Sequence, residues 1–186
     1  MNLSANRKTP VQYLIIGNSA AGISAVREIR KQDPEGRITL LSDEAAYGYS
    51  RVMLPLYIAG KRSKKDMVIA PKTFYSLQKI RLLRGETAVA VDPRQQRVHL
   101  QNGKSLPYDR LLVATGSSSK VLDIPGEDLA GISPLRKVTD AETIKRNLLS
   151  SHGPVVIVGG GLVGVKSLEA LLIRKKCFDS ESPCPE

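Results

Sequence analysis

Apolar residues come in short blocks separated by turn chemistry. Val11 to Ile16 (VQYLII), apolar at every position but Gln12, reads as a short, fully buried strand, the type found in parallel sheets. Gly17-Asn18-Ser19-Ala20-Ala21-Gly22 follows. Ile23, Val26 and Ile29 then recur at helical spacing, which predicts a helix through about Lys31. Asp33-Pro34-Glu35-Gly36 is turn chemistry, and Ile38 to Leu41 predicts a second strand ending at Ser42-Asp43-Glu44. The order is β-α-β, with the crossover helix that a parallel pair requires.

Residues 45–79 are mixed, with Pro71 placed to start a short helix. Ile80 to Leu83 predicts a third parallel strand. The pattern then changes. ETAVAVD, RVHLQ and the stretch after Asn102-Gly103 predict short antiparallel strands, Asn-Gly being a favoured hairpin turn. Leu111 to Ala114 returns to a buried strand, closed by Thr115-Gly116. A β-meander inserted into a doubly wound α/β sheet accounts for this order. Residues 117–153 form a connector with a short helix near 139–149. At Val155 a second β-α unit begins, with VVIV as its strand, GGGLVG as its turn and Val165, Leu168 and Leu172 at helical spacing.

The chain has 186 residues, 41% hydrophobic and 25% charged, which suits a folded protein with a real core. No apolar run approaches the ~20 residues that span a bilayer. The first ten residues lack a signal peptide's apolar stretch, so no membrane and a cytoplasmic location are expected. Net charge is +10, which suits nucleic acid, an acidic protein or an anionic cofactor. The densest run, KRSKK at 61–65, has no aromatic interleaving and sits in no nucleic-acid motif. Nucleic acid is therefore not the expected partner; an acidic redox partner is, with a solvated face as the plainer alternative. Cys177 and Cys184, with six residues between them, match no common zinc or redox spacing, and no metal site is expected.

The first glycine turn poses a phosphate problem. A helix N-terminus offers unpaired N–H groups and the positive end of the helix dipole. Gly17 permits the tight turn and Gly22 lets helix and strand pack closely; Ser19 stands where a middle glycine is usual. Asp43, 21 residues past Gly22, lies where a ribose-binding acid belongs. Glu44 competes for that role, and a ligand-free turn with an exposed loop acid is the alternative.

GNSAAG, ITLLSDE, YSRVMLPLYIAGK at 49–61, YDRLLVATGSSS at 108–119, LRKVTDAE at 135–142 and GGGLVG, in this order, resemble flavoproteins of the pyridine nucleotide–disulfide oxidoreductase superfamily. The nitrite reductase, rubredoxin reductase and NADH oxidase branch is the nearest in pattern, over residues 11 to about 173. The resemblance implies a Rossmann-like, three-layer FAD/NAD(P)-binding fold with an inserted antiparallel β-meander. It implies an FAD-binding domain over 1–117, a connector over 118–153 and the start of an NAD(P)H-binding domain over 154–186.

Carried over by position, Gly17, Ser19, Ala20 and Gly22 would hold the FAD pyrophosphate and Asp43 its ribose. Arg51 would be a cation beside the cofactor, Ala88 a backbone contact to adenine, and Ala114, Thr115 and Gly116 a strand end near it. Arg136 would reach the flavin nucleotide, and Gly159, Gly161 and Gly164 would hold NAD(P)H. From the residues alone, Arg51 is equally a local salt-bridge former, Ala88 core and Arg136 solvated. Lys166 stands where the family usually has glutamate.

Disulfide reductases of the superfamily carry Cys-x-x-x-x-Cys after the second strand, and its oxidases one cysteine; Tyr47-Gly48-Tyr49-Ser50-Arg51 has none. Without a thiolate nucleophile, dithiol reduction is not expected. The implied activity is FAD-dependent NAD(P)H oxidation, with electrons passed to a protein or metal-centre acceptor such as a rubredoxin or ferredoxin, and no side chain has to be a catalytic acid or base. CFDSESPCPE does not have strand character, so the second unit is expected to be truncated. The competing expectation is a non-catalytic FAD-binding fragment whose sites are completed by a homo-oligomer or a complementing chain.

Overall fold

The computed structural model describes residues 9–120, 122–150 and 153–179. Two compact units form, one from residues up to 49 together with 68–116, the other from 50–67 together with 117 onward.

The first unit is built on a four-stranded parallel sheet in the order β3-β2-β1-β7. Its strands are β1 (Gln12–Ile16), β2 (Arg37–Ser42), β3 (Ile80–Arg84) and β7 (Arg110–Val113). Ile15 pairs with Leu40 on one side and Leu112 on the other, and Leu40 pairs with Leu82. Ile15, Ile38 and Leu40 face Ile23 and Val26 of α1 (Ala20–Gln32), with Ala70 and with Tyr75 from α4 (Lys72–Leu77). On the opposite face Leu14, Ile16 and Leu41 meet Val98, Leu100 and Leu106 of the antiparallel meander. That meander comprises β4 (Ala88–Asp92), β5 (Arg97–Leu100) and β6 (Ser105–Pro107).

Helix, sheet and meander therefore form three layers, which explains the run of apolar residues from Leu14 to Ile16. Both faces of β1 are covered, so an alternating pattern has no place there. Leu14, Ile15, Leu40 and Leu41 are essentially inaccessible, each worth about 1.5–3 kcal/mol of burial. The β-α-β order expected for residues 11–44 and the later third strand are both present.

The turns follow from local hydrogen bonding. Asp33 Oδ1 accepts from the Gly36 amide at 2.9 Å, and Asp33 Oδ2 accepts from the Tyr13 hydroxyl at 3.0 Å. Pro71 caps α4 in extended conformation. The Asn102-Gly103 pair does close the β5–β6 hairpin, as a three-residue loop. The Leu100 amide donates to the Lys104 carbonyl at 2.8 Å, and Gly103 takes φ +81° while Asn102 does not enter the left-handed region.

The second unit is helical. A 3₁₀ turn (Arg51–Met53) leads into α2 (Leu54–Ile58) and α3 (Lys64–Met67), joined by α5 (Val138–Ser150) and α6 (Leu162–Asp179). The Lys145 ammonium stands 4.2 Å from the centre of the Tyr57 ring, Lys64 pairs with Glu142, and Arg174 donates to the Ile58 carbonyl at 3.2 Å. Asp140 Oδ2 accepts from the Arg136 and Lys137 amides at 2.8 and 2.7 Å, holding the entry to α5.

Three expectations change here. The strand expected to be buried at Leu111 to Ala114 forms as β7, but it lies at the sheet edge and Leu112 and Val113 are exposed. Val155 to Val158 do not form a strand, and Val155, Val156 and Val158 are exposed. A parallel strand exists only through its ladder partners, and none pairs with this run among the described residues. On α6, Val165, Leu168 and Leu172 are exposed, while Ala170 and Arg174 are buried. The helix runs through Asp179, past the change in composition after Lys176. Cys184, Pro185 and Glu186 lie outside the described residues. Among the described residues no helix is long and apolar enough to cross a membrane.

Candidate functional site

Parallel strands end on the same edge, so β1, β2 and β7 bring Gly17, Asp43 and Ala114 together. Ile16 registers with Leu41 and with Val113. The Gly17 amide donates to the Leu41 carbonyl and the Ala114 amide to the Ile16 carbonyl, both at 2.8 Å. At this edge the chain has no room for side chains. Gly17 takes φ +124°, and a β-carbon on it would stand 2.1 Å from the Ala114 carbonyl oxygen and 3.3 Å from the Thr115 nitrogen. A β-carbon on Gly22 would stand 1.9 Å from the Gly17 carbonyl oxygen.

Ser19 caps α1 in extended conformation, but its hydroxyl makes no capping bond, and no acid lies in the first turn. The first-turn amides at Ala20, Ala21 and Gly22 have no partner within the helix. The helix end thus keeps its positive potential and its donors.

The start of the meander is tied to the end of β2. The Gly85 amide donates to the Glu44 carbonyl at 3.3 Å and the Glu86 amide to the Ser42 carbonyl at 3.0 Å. Ala88, half-buried, follows directly and packs on the Leu14–Leu100 cluster. Asp43 is exposed, whereas Glu44 Oε2 accepts from the Tyr49 hydroxyl at 2.6 Å. Arg84 fastens the same loop, donating to the Ala45 carbonyl at 2.7 Å with its guanidinium 4.2 Å from the Tyr47 ring centre. Thr115 and Gly116 continue from Ala114 as exposed chain, Gly116 at φ +69°.

Two residues absent from the sequence expectations complete this edge. The Tyr75 hydroxyl donates to Asn18 Oδ1 at 2.7 Å and accepts from the Gly48 amide at 3.0 Å. Burial raises the Tyr75 pKa above the usual 10.0, against lowering by the bonds to Gly48 and Asn18, and keeps it a donor. Asn18 Nδ2, on the other branch of the amide, is enclosed and has no partner. No local signal marks Tyr75, since it lies 57 residues from Asn18. A side-chain-free cradle at positions 17 and 22, the uncapped Ser19 hydroxyl and the first-turn amides fit an acceptor-rich group such as a dinucleotide diphosphate.

The remaining sequence-derived positions fall in the helical unit. Arg51 donates to the Arg136 carbonyl at 2.7 Å, so these two are brought together. Arg51 also lines a cavity of about 270 Å³ with Val52, Leu56, Leu162, Val163 and Lys166. Lys166 is paired with Glu169 at 2.7 Å. The second glycine turn repeats the geometry of the first. Gly159 takes φ +111°, and a β-carbon on Gly164 would stand 2.0 Å from the Gly159 carbonyl oxygen. Gly161 faces open space.

A family model described as pyridine nucleotide-disulphide oxidoreductase matches residues 11–175. The chain belongs to that family. Proteins of this family use FAD and NAD(P)H. The ferredoxin–NAD(+) reductase component of the biphenyl dioxygenase system of Paraburkholderia xenovorans is 35% identical over 150 residues, which is 81% of this chain and 36% of that protein. The assimilatory nitrate reductase electron transfer subunit of Bacillus subtilis is 31% identical, over 86% of this chain and 21% of that protein. Among solved structures, NADH:rubredoxin oxidoreductase from Clostridium acetobutylicum superposes with a TM-score of 0.80 at 27% identity, over 94% of this chain and 43% of that one. The chain thus spans less than half the length of each of these relatives. The Rossmann-like α/β architecture with a separate antiparallel sheet agrees with the fold of such reductases.

Proposed function

We propose that the chain binds FAD at the first glycine turn and a pyridine nucleotide at the second, within a cytoplasmic oxidoreductase. Electrons would pass from NAD(P)H through flavin to a protein or metal-centre acceptor. The observation that carries this reading is the cradle at Gly17 and Gly22, where backbone carbonyls occupy the space any side chain would need. Gly17, Ser19, Ala20 and Gly22 would take the diphosphate, Asp43 the adenosine ribose and Ala88 the adenine. Ala114, Thr115 and Gly116 would line the strand end, with Arg51 and Arg136 adding positive charge and Gly159, Gly161 and Gly164 taking NAD(P)H. Bound FAD would supply the hydride-accepting ring; the residues named here bind and orient.

The acceptor in this reading is a small acidic iron–sulfur protein. The relatives named for ferredoxin and rubredoxin support that class, as does the exposed basic segment at Lys61, Arg62, Lys64 and Lys65.

A second reading is an FAD-binding module whose sites a second chain completes. It is favoured by β7, which pairs with β1 alone among the described residues and exposes Leu112 at 39% and Val113 at 58%. One experiment separates the two. The purified chain is incubated with FAD, its visible spectrum recorded, and NADH added without oxygen. A bound flavin band that bleaches supports the oxidoreductase, and one that stays supports the module. No bound flavin in excess FAD overturns both.

A further inference from the structure

Arg51 opens the 3₁₀ turn before α2, and its guanidinium meets a main-chain carbonyl 85 positions further along the chain. Arg51 Nη1 donates to the Arg136 carbonyl at 2.7 Å. The other end of the same peptide unit, the Lys137 amide, donates to Asp140 Oδ2 at 2.7 Å, and the Arg136 amide donates to the same oxygen at 2.8 Å. Asp140 stands in the first turn of α5 and holds the amides that enter the helix. A trans peptide is planar, with its N–H and C=O pointing opposite ways. Turning the Lys137 N–H onto Asp140 therefore aims the Arg136 carbonyl to the opposite side, where Arg51 meets it.

Carboxylate, peptide and guanidinium thus form one chain of hydrogen bonds between half-buried residues. A negative charge at one end of a peptide polarises its carbonyl and strengthens the bond at the other. Arginine has a long side chain with many rotamers, and holding one of them costs entropy that such a bond offsets. The carbonyl orients the guanidinium without cancelling its charge, as a carboxylate in the same place would. Arg51 lines the cavity of about 270 Å³ together with Leu135, which directly precedes Arg136. A helix cap alone accounts for the two amide bonds of Asp140. The guanidinium on the carbonyl of the same peptide is what connects that cap to the cavity.

We propose that Asp140 is a positioning residue for Arg51. Through the Arg136–Lys137 peptide it holds the guanidinium at the cavity wall in the orientation that meets the anionic cofactor. The proposal rests on the reading that Arg51 adds positive charge beside FAD.

The test titrates the full chain with FAD and closes a double-mutant cycle on Arg51 and Asp140. Arg51→Ala is expected to weaken FAD about tenfold, the scale of a charge-assisted bond. Asp140→Asn keeps an oxygen for both amides but removes the charge, and is expected to weaken FAD about threefold; Asp140→Ala removes the acceptor and is expected to weaken it about fivefold. Either loss should shrink below about 1.5-fold when Arg51 is already alanine, because the effect passes through that side chain. Without ligand, the Arg51 Nε–H resonance is expected to shift in Asp140→Asn, a change that a mere helix cap would not produce. Losses that simply add, wild-type affinity in a folded Asp140→Asn, or an Arg51 resonance unmoved by that substitution overturn the proposal and leave Arg51 as a cofactor contact. Wild-type affinity in a folded Arg51→Ala overturns the reading of Arg51 and the proposal with it, as does a wild-type chain that binds no FAD.

Discussion

The Tyr49 phenol donates to Glu44 Oε2 across 2.6 Å, which engages the second of the two acids after β2 within its own loop. Asp43, one residue earlier, is exposed at the strand edge beside Gly17. The sequence offers both as ribose acids, and we propose Asp43 for that role. Asp43→Ala is expected to weaken ADP and FAD binding about tenfold, as loss of a carboxylate bond to ribose hydroxyls would, with stability within about 0.5 kcal/mol of wild type. Glu44→Ala is expected to lose about 1–2 kcal/mol of stability, since it leaves a largely buried hydroxyl without its acceptor. Titrating both probes and unfolding both variants in urea checks the division. The opposite pattern would assign the ribose to Glu44.

Gly17 and Gly159 open turns of the same shape but differ in what surrounds them. Both have positive φ, yet a β-carbon on Gly17 meets the Ala114 carbonyl at 2.1 Å while one on Gly159 meets nothing within 4 Å. Gly17→Ala therefore carries backbone strain and a clash with a strand that cannot move without breaking its ladder, about 3 kcal/mol or more. Gly159→Ala carries the conformational strain alone, about 1 kcal/mol. Urea unfolding should rank them in that order, and flavin absorbance should be lost only in Gly17→Ala.

The sheet and meander were legible because their signal is local and redundant. Apolar-rich runs at Tyr13–Ile16, Ile38–Leu41 and Ile80–Leu83, interrupted only by Thr39 and Arg81, mark strands of the parallel sheet, and the switch to short alternating runs after Arg84 marks the meander. Val155 to Val158 carried the same apolar signal without becoming a strand, because pattern states what a segment could pair with and not whether the partner is there. Asn18 and Tyr75 were illegible for a different reason. A hydrogen bond between residues 57 apart leaves no periodicity, and a tyrosine beside a phenylalanine in a short helix resembles ordinary core. Arg51 and Arg136 are joined through a main-chain carbonyl, a contact that no side-chain pattern encodes.

Arg30 is another residue of that kind. Its guanidinium donates to the Gly36 carbonyl at 2.6 Å and to the Gln78 carbonyl at 2.8 Å, pinning the end of α1 to the turn before β2 and to the end of α4. A planar fork can reach several carbonyls at once; a lysine ammonium cannot keep the same set. Arg30→Lys is expected to lower stability by about 1 kcal/mol and Arg30→Ala by about 2 kcal/mol, on the scale of charged hydrogen bonds in a part-buried setting. Neither touches the nucleotide edge, so FAD affinity of the folded variants should stay within about twofold. Urea midpoints with flavin titration check both halves.

Tyr75 gives the fold a response to alkaline pH. Burial raises its pKa above the unfolded value near 10.0, so in the interval above that value the folded chain holds a proton the unfolded chain has released. Stability tied to this group is therefore complete below about pH 10 and falls as pH rises toward the folded pKa. Loss of the proton also removes the donor to Asn18 Oδ1, so the same interval should loosen the glycine turn. Tyr75→Phe lacks the titration and should be less stable than wild type at pH 8 by about 1 kcal/mol, the scale of one net hydrogen bond. The gap should narrow as pH rises above 10. Parallel urea unfolding of the two chains between pH 8 and 11 measures the gap directly; a difference that stays constant with pH would show that Tyr75 titrates alike in both states.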